Sequence, residues 1–336
     1  MFNKFMVLFL AVMFSSTGLL YAEEEISPQR QAMMDFMDER NDNLAAENAG
    51  YQLSAIYYTT LQQGDAHEQN VLLAKNIGNG RLRDGLTAKY LGIHWVYGDP
   101  DRGGRTNIVY AIDTTDVAPI DDGLSLEQTI GFLDSAMNSW NNVNCTSLDI
   151  DGVLSETDLG LEQNREGFGG SSETPPYDIV FAGNLPQDFF IEIEAPGALA
   201  VTFVYTFTGI GREPLKGNDP LDINGDGYLD YAFSEIYSNA EVVWSDGGQR
   251  TNLNDYFVGG FATVVQDYET VMLHEAGHGL SIEHFGKSLF DTETGYIESI
   301  PKEGIMNAFA KGPAAREVDK RTNGMFCSVW ATWPKE

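Results

Sequence analysis

Positive charge is scarce in this chain, and cysteine and histidine are scarcer. Twenty Lys and Arg stand against fifty Asp and Glu over 336 residues, a formal charge of −30. Recognition of phosphate needs clustered basic side chains, so this balance excludes nucleic acid and anionic membrane surfaces as partners. The plain reading of the carboxylate excess is solubility, and the sharper one is that a few carboxylates bind calcium. Only two cysteines occur, Cys145 and Cys327. Neither lies near the N-terminus, which excludes a lipid anchor there. Beyond the first twenty or so residues no run is apolar enough to cross a membrane. The chain also lacks internal repeats and long low-complexity segments.

What is present begins with an export signal. Lys4 precedes an apolar run from Phe5 to about Leu20, and Tyr21 and Ala22 then meet three glutamates. This pattern predicts a signal peptide over residues 1–22, cleaved after Ala22, and a secreted mature protein of roughly 310 residues. The alternative is an uncleaved N-terminal anchor. In an oxidising compartment a pair of cysteines tends to be bridged, so Cys145 and Cys327 are expected to form a disulfide.

Residues 23–104 read as a pro-region or N-terminal lead. The stretch to about Asn70 is polar, with Met33, Met34, Phe36 and Met37 at helical spacing. Residues 97–105 (YGDPDRGGR) are dense turn chemistry with two arginines expected to be exposed, a boundary and a candidate processing site. An ordinary surface loop is the competing reading. Residues 105–336 read as a second, larger domain of α/β type, the one that carries the histidine motif. A strand is predicted over 106–113, and a helix over 124–143 follows from Leu126, Ile130, Leu133, Met137 and Trp140. Further strands are expected over 177–182, 199–207 and 241–244, and a helix over 263–280.

The chemistry concentrates in HEAGHGLSIEH, residues 274–284, which holds three of the five histidines. His274 and His278, four apart on a helix, project from one face and can share a tetrahedral ion. Glu275, beside the first ligand, can take a proton from water on that ion. A continuing helix would put His284 roughly 15 Å along the axis from His274. The helix must therefore end near Ser281, with Gly279 and Gly286 easing the reversal that brings His284 back. Three imidazoles suit Zn2+ and leave one position open, the mark of a catalytic site.

This segment, with Gly304, Ile305, Met306 and Asn307 downstream, resembles the HExxHxxGxxH zinc motif and methionine turn of the metzincin peptidases, closest to the matrixin-like enzymes. The resemblance implies an α+β catalytic domain with a twisted mixed β-sheet, a long active-site helix and a smaller C-terminal subdomain. It also implies a zinc endopeptidase acting on protein or peptide substrates, with Glu275 as general base and acid and Met306 packed beneath the metal. Ser281 stands where the family has Gly, and a left-handed backbone there would cost about 1 kcal/mol. Neither Ala308 nor Phe309 is the Tyr some subfamilies place after the methionine, so no tyrosine ligand is expected. No Cys precedes Cys145, so the cysteine switch of many matrixin pro-regions is absent and latency needs another device. The family pairs extended substrate with a sheet-edge strand, for which residues 199–207 are the candidate.

A second metal is suggested by DINGDGYLD, with Asp222, Asn224, Asp226, Tyr228 and Asp230 at alternate positions and Gly227 for the turn. These match the first nine positions of a calcium loop, Tyr228 through its carbonyl. Phe233 stands where the helix-loop-helix version needs Glu, so Ca2+ is expected in another setting, with a solvated acidic turn as the alternative. Two other functions remain open: a peptidase whose third ligand is an acid such as Glu298, and a secreted calcium-binding interaction protein with a vestigial zinc site. His67 and His94 lie outside the motif and are read as structural or exposed, with His94 a remote candidate to reach the metal from the pro-region.

Overall fold

The computed structural model describes residues 28–47, 49–61, 71–73, 93–118, 124–160, 175–193, 195–209, 221–226, 228–247, 257–258, 261–262, 265–291, 296–301, 304–307, 309–310 and 315–333. The expected signal peptide, His67 and Gly227 lie outside these residues. Among them are five α-helices: α1 (Pro28–Ala46), α2 (Leu126–Asn141), α3 (Gln187–Glu192), α4 (Tyr268–Gly279) and α5 (Lys320–Trp330). The first strands are β1 (Tyr51–Leu61), β2 (Val71–Leu73), β3 (Ile93–His94), β4 (Ile108–Asp113), β5 (Ile150–Ser155), β6 (Ile179–Leu185), β7 (Ala198–Phe207) and β8 (Leu229–Asn239). Short strands follow: β9 (Trp244–Ser245), β10 (Phe257–Val258), β11 (Phe261–Ala262) and β12 (Gln266–Asp267), then β13 (Gly286–Asp291), β14 (Tyr296–Pro301) and β15 (Phe309–Ala310).

The main sheet runs β13-β14-β2-β1-β7-β8-β6-β4-β5, with β15 beside β1 and β3 beside β8. It is mixed, and the fold is α+β. β5, β4, β6 and β8 are mutually parallel, whereas β7 is antiparallel to β8 and β1 antiparallel to β7. Parallel pairing requires a crossover, which α2 supplies between β4 and β5. A capping box sets the start of α2: Ser125 accepts from the Gln128 amide, and the Gln128 side chain accepts from the Ser125 amide. β7 and β8 are buried along their whole length; β7 reads as a near-continuous apolar run, whereas β8 also buries Asp230, Ser234, Glu235, Ser238 and Asn239. One hydrophobic core extends from Met33 on α1 to Trp330 on α5 and Trp333 beyond it. Cys145 and Cys327 form a disulfide that ties the loop after α2 to α5. Among the described residues no helix is long and apolar enough to cross a membrane.

Four expectations change. The stretch read as lead or pro-region contributes an eleven-residue strand, β1, to the interior of the sheet. Asn41 on α1 ties helix and strand together, accepting from the Leu53 amide and donating to the Leu53 carbonyl. The boundary near residue 104 is thus no gap in the sheet, since strands from both sides of it share one layer. Residues 199–207 are likewise no edge, because β7 lies between β1 and β8. The strand expected over 241–244 is reduced to Trp244–Ser245, and the long strand β8 begins inside the acidic motif instead. Finally, the two arginines of residues 97–105 are not exposed. Arg102 is fully buried and pairs with Asp178 at 3.0 Å, while Arg105 meets the same carboxylate at 2.9 Å. A buried carboxylate needs such partners, which makes this turn a structural clamp.

Candidate metal centre

The helix that carries His274 and His278 begins later than its sequence pattern suggests. Asp267 caps α4 by accepting from the Thr270 amide at 3.1 Å, so the helix starts at Tyr268 and not at residue 263. Its other end is a Schellman motif. The Ile282 amide bonds to the Gly277 carbonyl and the Ser281 amide to the His278 carbonyl. Ser281 occupies the left-handed position with φ 61°, the one non-glycine residue among those described to do so. Its hydroxyl donates to the Ile93 carbonyl at 2.9 Å. Gly279 serves a different purpose from the one expected: its φ is not positive, and a Cβ there would crowd Ile179 and Ser234. Indole N–H groups cover the carbonyls left open at the helix end, Trp95 on Gly279 and Trp330 on Leu280.

Position 281 makes a direct test of this reversal. Ser281→Gly should be nearly neutral, since relief of about 1 kcal/mol of backbone strain offsets a hydrogen bond of similar size. Ser281→Val should destabilise by roughly 2–3 kcal/mol, losing the bond and placing a β-branched residue in the left-handed region. Denaturant unfolding of both variants checks this, and a Val variant as stable as the parent would contradict it.

The reversal brings His284 to the other two histidines. The Nε2 atoms of His274, His278 and His284 stand 3.0, 3.1 and 3.2 Å from one another. Nδ1 of His274 faces the Ile305 carbonyl at 2.6 Å, and Nδ1 of His278 faces the Ile282 carbonyl at 2.8 Å. A carbonyl only accepts, so each of these nitrogens carries the ring proton and each Nε2 presents a lone pair. Lone pairs converging at such distances repel unless a cation lies between them. A proton is a poor candidate, because burial lowers the His274 pKa to about 4 and holds His278 and His284 well below the ordinary imidazole value. A metal ion fits: tetrahedral ligands about 2.0–2.1 Å from zinc stand roughly 3.3 Å apart. Among the described residues these three form the one group of His, Cys, Asp or Glu able to hold an ion.

Met306 is fully buried, and a Cβ on Gly277 would strike its sulfur. The thioether thus packs under the helix between the first two histidines, with the preceding carbonyl, that of Ile305, fixing the His274 ring. Glu275 is fully buried beside the ligands. Its Oε1 accepts from Thr59 and its Oε2 from Thr202, each at 2.6 Å. Burial raises its pKa to about 7, with the two hydroxyls opposing the shift. Sequence reasoning missed Thr59, Thr202, Tyr57 and Glu283. The Tyr57 ring stacks on His278 with centroids 4.3 Å apart and its hydroxyl donates to Glu283. Glu283, also accepting from the His284 amide, is raised to about 7 by burial. Glu283 sits next to the third histidine in the motif and was open to suspicion. Thr59 and Tyr57 lie more than two hundred residues upstream of their partners, with nothing local to mark them.

The raised carboxylate has a stability consequence in the metal-free protein. A carboxyl group whose folded pKa exceeds its unfolded value contributes stability below about 4.5 and loses it as pH rises toward 7. Glu275→Gln should therefore stabilise the metal-free chain at pH 8, by on the order of 3 kcal/mol, and change little at pH 4. Melting curves at the two pH values test the sign.

The acidic loop is not gathered in the same way. Asp222 and Asn224 both accept from the Asp226 amide, Asp226 accepts from the Tyr228 amide, and Asp230 accepts from the Ile223 amide. Burial raises Asp230 to about 7, with Asp99, Asp222 and Asp226 adding to the shift. His94 lies here and not at the histidine triad, its Nδ1 3.4 Å from Asp226 and its ring against Tyr228. No protein-family model and no curated protein matches the chain, so the reading of this centre rests on its own geometry.

Proposed function

We propose that this chain is a secreted zinc endopeptidase of the metzincin type, closest to the matrixin-like enzymes, acting on proteins or peptides. The observation that carries the reading is the convergence of three neutral imidazole nitrogens with a buried carboxylate, Glu275, next to one of them in sequence. Zinc held by His274, His278 and His284 supplies a Lewis acid for the scissile carbonyl and lowers the pKa of water. Glu275 then has both roles of a general base and acid, accepting a proton from the attacking water and delivering it to the leaving amine. Thr202 orients the carboxylate from β7. The Ile305 carbonyl holds the His274 ring and Met306 packs under Gly277, in keeping with a methionine turn.

Export is supported by the N-terminal pattern and by the Cys145–Cys327 bridge. Asp222, Asn224, Asp226, Tyr228 and Asp230 remain the candidate Ca2+ site; Asp230 is buried there, with Asp222 and Asp226 near enough to add to the rise that burial causes. Casein digestion with and without chelator, beside the Glu275→Ala variant, tests the function. Chelator-sensitive cleavage lost in the variant is the expected result. A zinc-loaded chain that cleaves nothing in any form would favour a calcium-binding interaction protein instead.

A further inference from the structure

The three histidines are not held in the same way. His274 gives its Nδ1 proton to the Ile305 carbonyl, outside the chain reversal that follows α4. His278 gives its own to the Ile282 carbonyl, inside that reversal, and His284 lies just beyond it. Whatever fixes residues 279–282 therefore fixes two of the three rings at once. Two bonds join that stretch to one short segment, Ile93–Trp95, which lies N-terminal to the boundary expected near residue 104. The Ile93 carbonyl accepts from the Ser281 hydroxyl at 2.9 Å, and the Trp95 indole N–H donates to the Gly279 carbonyl at 3.0 Å. A third bond, from Trp330 to Leu280, comes from α5.

Trp95 is itself held by its ring. It is buried and stacks on Tyr231 with centroids 4.0 Å apart, and the Arg102 guanidinium, tied to Asp178, lies 4.6 Å from its centroid. Its one polar atom is thus aimed, and aimed at a carbonyl that the end of the helix leaves without an intrahelical partner. Tyr231 donates in turn to the carbonyl before it, that of His278, at 3.2 Å. Packing alone would need a large ring at this place and no donor. We infer that Trp95 is a positioning residue for the metal centre: its indole N–H fixes Gly279 and, together with the Ile93–Ser281 bond, sets the reversal that carries the His278 and His284 rings to His274. This inference rests on reading the three histidines as metal ligands. Without the donor a buried carbonyl is left bare, so the reversal shifts to find another partner and takes the Ile282 acceptor with it. Partners that orient a ligand directly are worth roughly 10- to 100-fold in metal affinity, and Trp95 acts one bond further out, so a weakening of about three- to tenfold is expected.

Trp95→Phe in the full chain removes the donor and keeps a ring. Zn2+ affinity is measured by competition with a chromophoric chelator, and the visible spectrum of the Co2+-loaded protein reports ligand geometry. Trp333→Phe is the matched control, because it removes an indole N–H bonded to a backbone carbonyl outside the reversal, that of Thr106 at 3.2 Å. The expected result is Zn2+ binding weakened about three- to tenfold with an altered Co2+ spectrum in Trp95→Phe, and parent values for both in Trp333→Phe. If Trp95→Phe lowers metal-free stability yet binds Zn2+ as tightly as the parent with the same Co2+ spectrum, Trp95 is ordinary core and the inference is overturned while the metal reading stands. Equal weakening in the two tryptophan variants would overturn it as well. A parent chain that takes up neither ion would end the metal reading and the inference with it. Should Trp95→Phe not fold, Ser281→Ala, which removes the other bond to the same segment, decides by the same two readouts.

Discussion

Replacing Glu275 with Ala is expected to lower kcat for peptide hydrolysis by roughly 10²- to 10⁴-fold while zinc content stays at that of the parent chain. The size follows from losing a positioned base, a barrier increase of about 3–5 kcal/mol. Retention of the metal follows from the geometry, because the ion-holding group consists of three histidines and Glu275 is not in it. The carboxylate is instead held by two hydroxyls, from Thr59 and Thr202. Each contributes position and none of the chemistry, so Thr202→Val should cost much less than Glu275→Ala. Cleavage within threefold of the parent in Glu275→Ala would remove the base from the mechanism.

Metal removal is expected to give the largest change in stability. With free zinc about a thousandfold above its dissociation constant, linkage contributes about 4 kcal/mol. For a chain of this size that corresponds to a fall in Tm on the order of 10 °C upon chelation. The structural cause is local: without a cation, three buried ring nitrogens converge at 3.0–3.2 Å with only the His284 ring proton to share among them, since the other two rings have their protons committed to carbonyls. His278→Ala should abolish both the zinc content and the response to chelator, because it removes the ligand in closest contact with the other two. Calorimetry with and without chelator on both proteins decides the matter. A Tm indifferent to chelator in a chain shown to carry zinc would contradict the coupling.

The candidate site was legible to different depths. His274, His278 and Glu275 lie within five residues on one helix, and a helical period alone places them on neighbouring positions. His284 required a chain reversal, which the spacing demanded and the Schellman turn at Ser281 supplies. Gly279 looked like part of that turn only because glycine is so often used there; its lack of a side chain is needed for packing against Ile179 and Ser234. β1 went unread for a related reason. Its YQLSAIYYTTL is rich in strand-forming residues, but the polar helix before it set the expectation for the whole lead. β8 was obscured because its first residues double as the end of an acidic loop.

Sequence alone therefore picked out the three histidines that the structure brings together, the carboxylate beside the first of them, and the need for the helix to stop before His284. These rest on short-range geometry, where the rise and turn of a helix fix what neighbours can do. Tertiary structure decided which strands flank the centre, that β1 and not solvent covers it, and that Thr59, Tyr57 and Thr202 hold its polar groups. Such contacts join residues up to more than two hundred positions apart, and they depend on sheet order and register, to which no local pattern in the chain is sensitive.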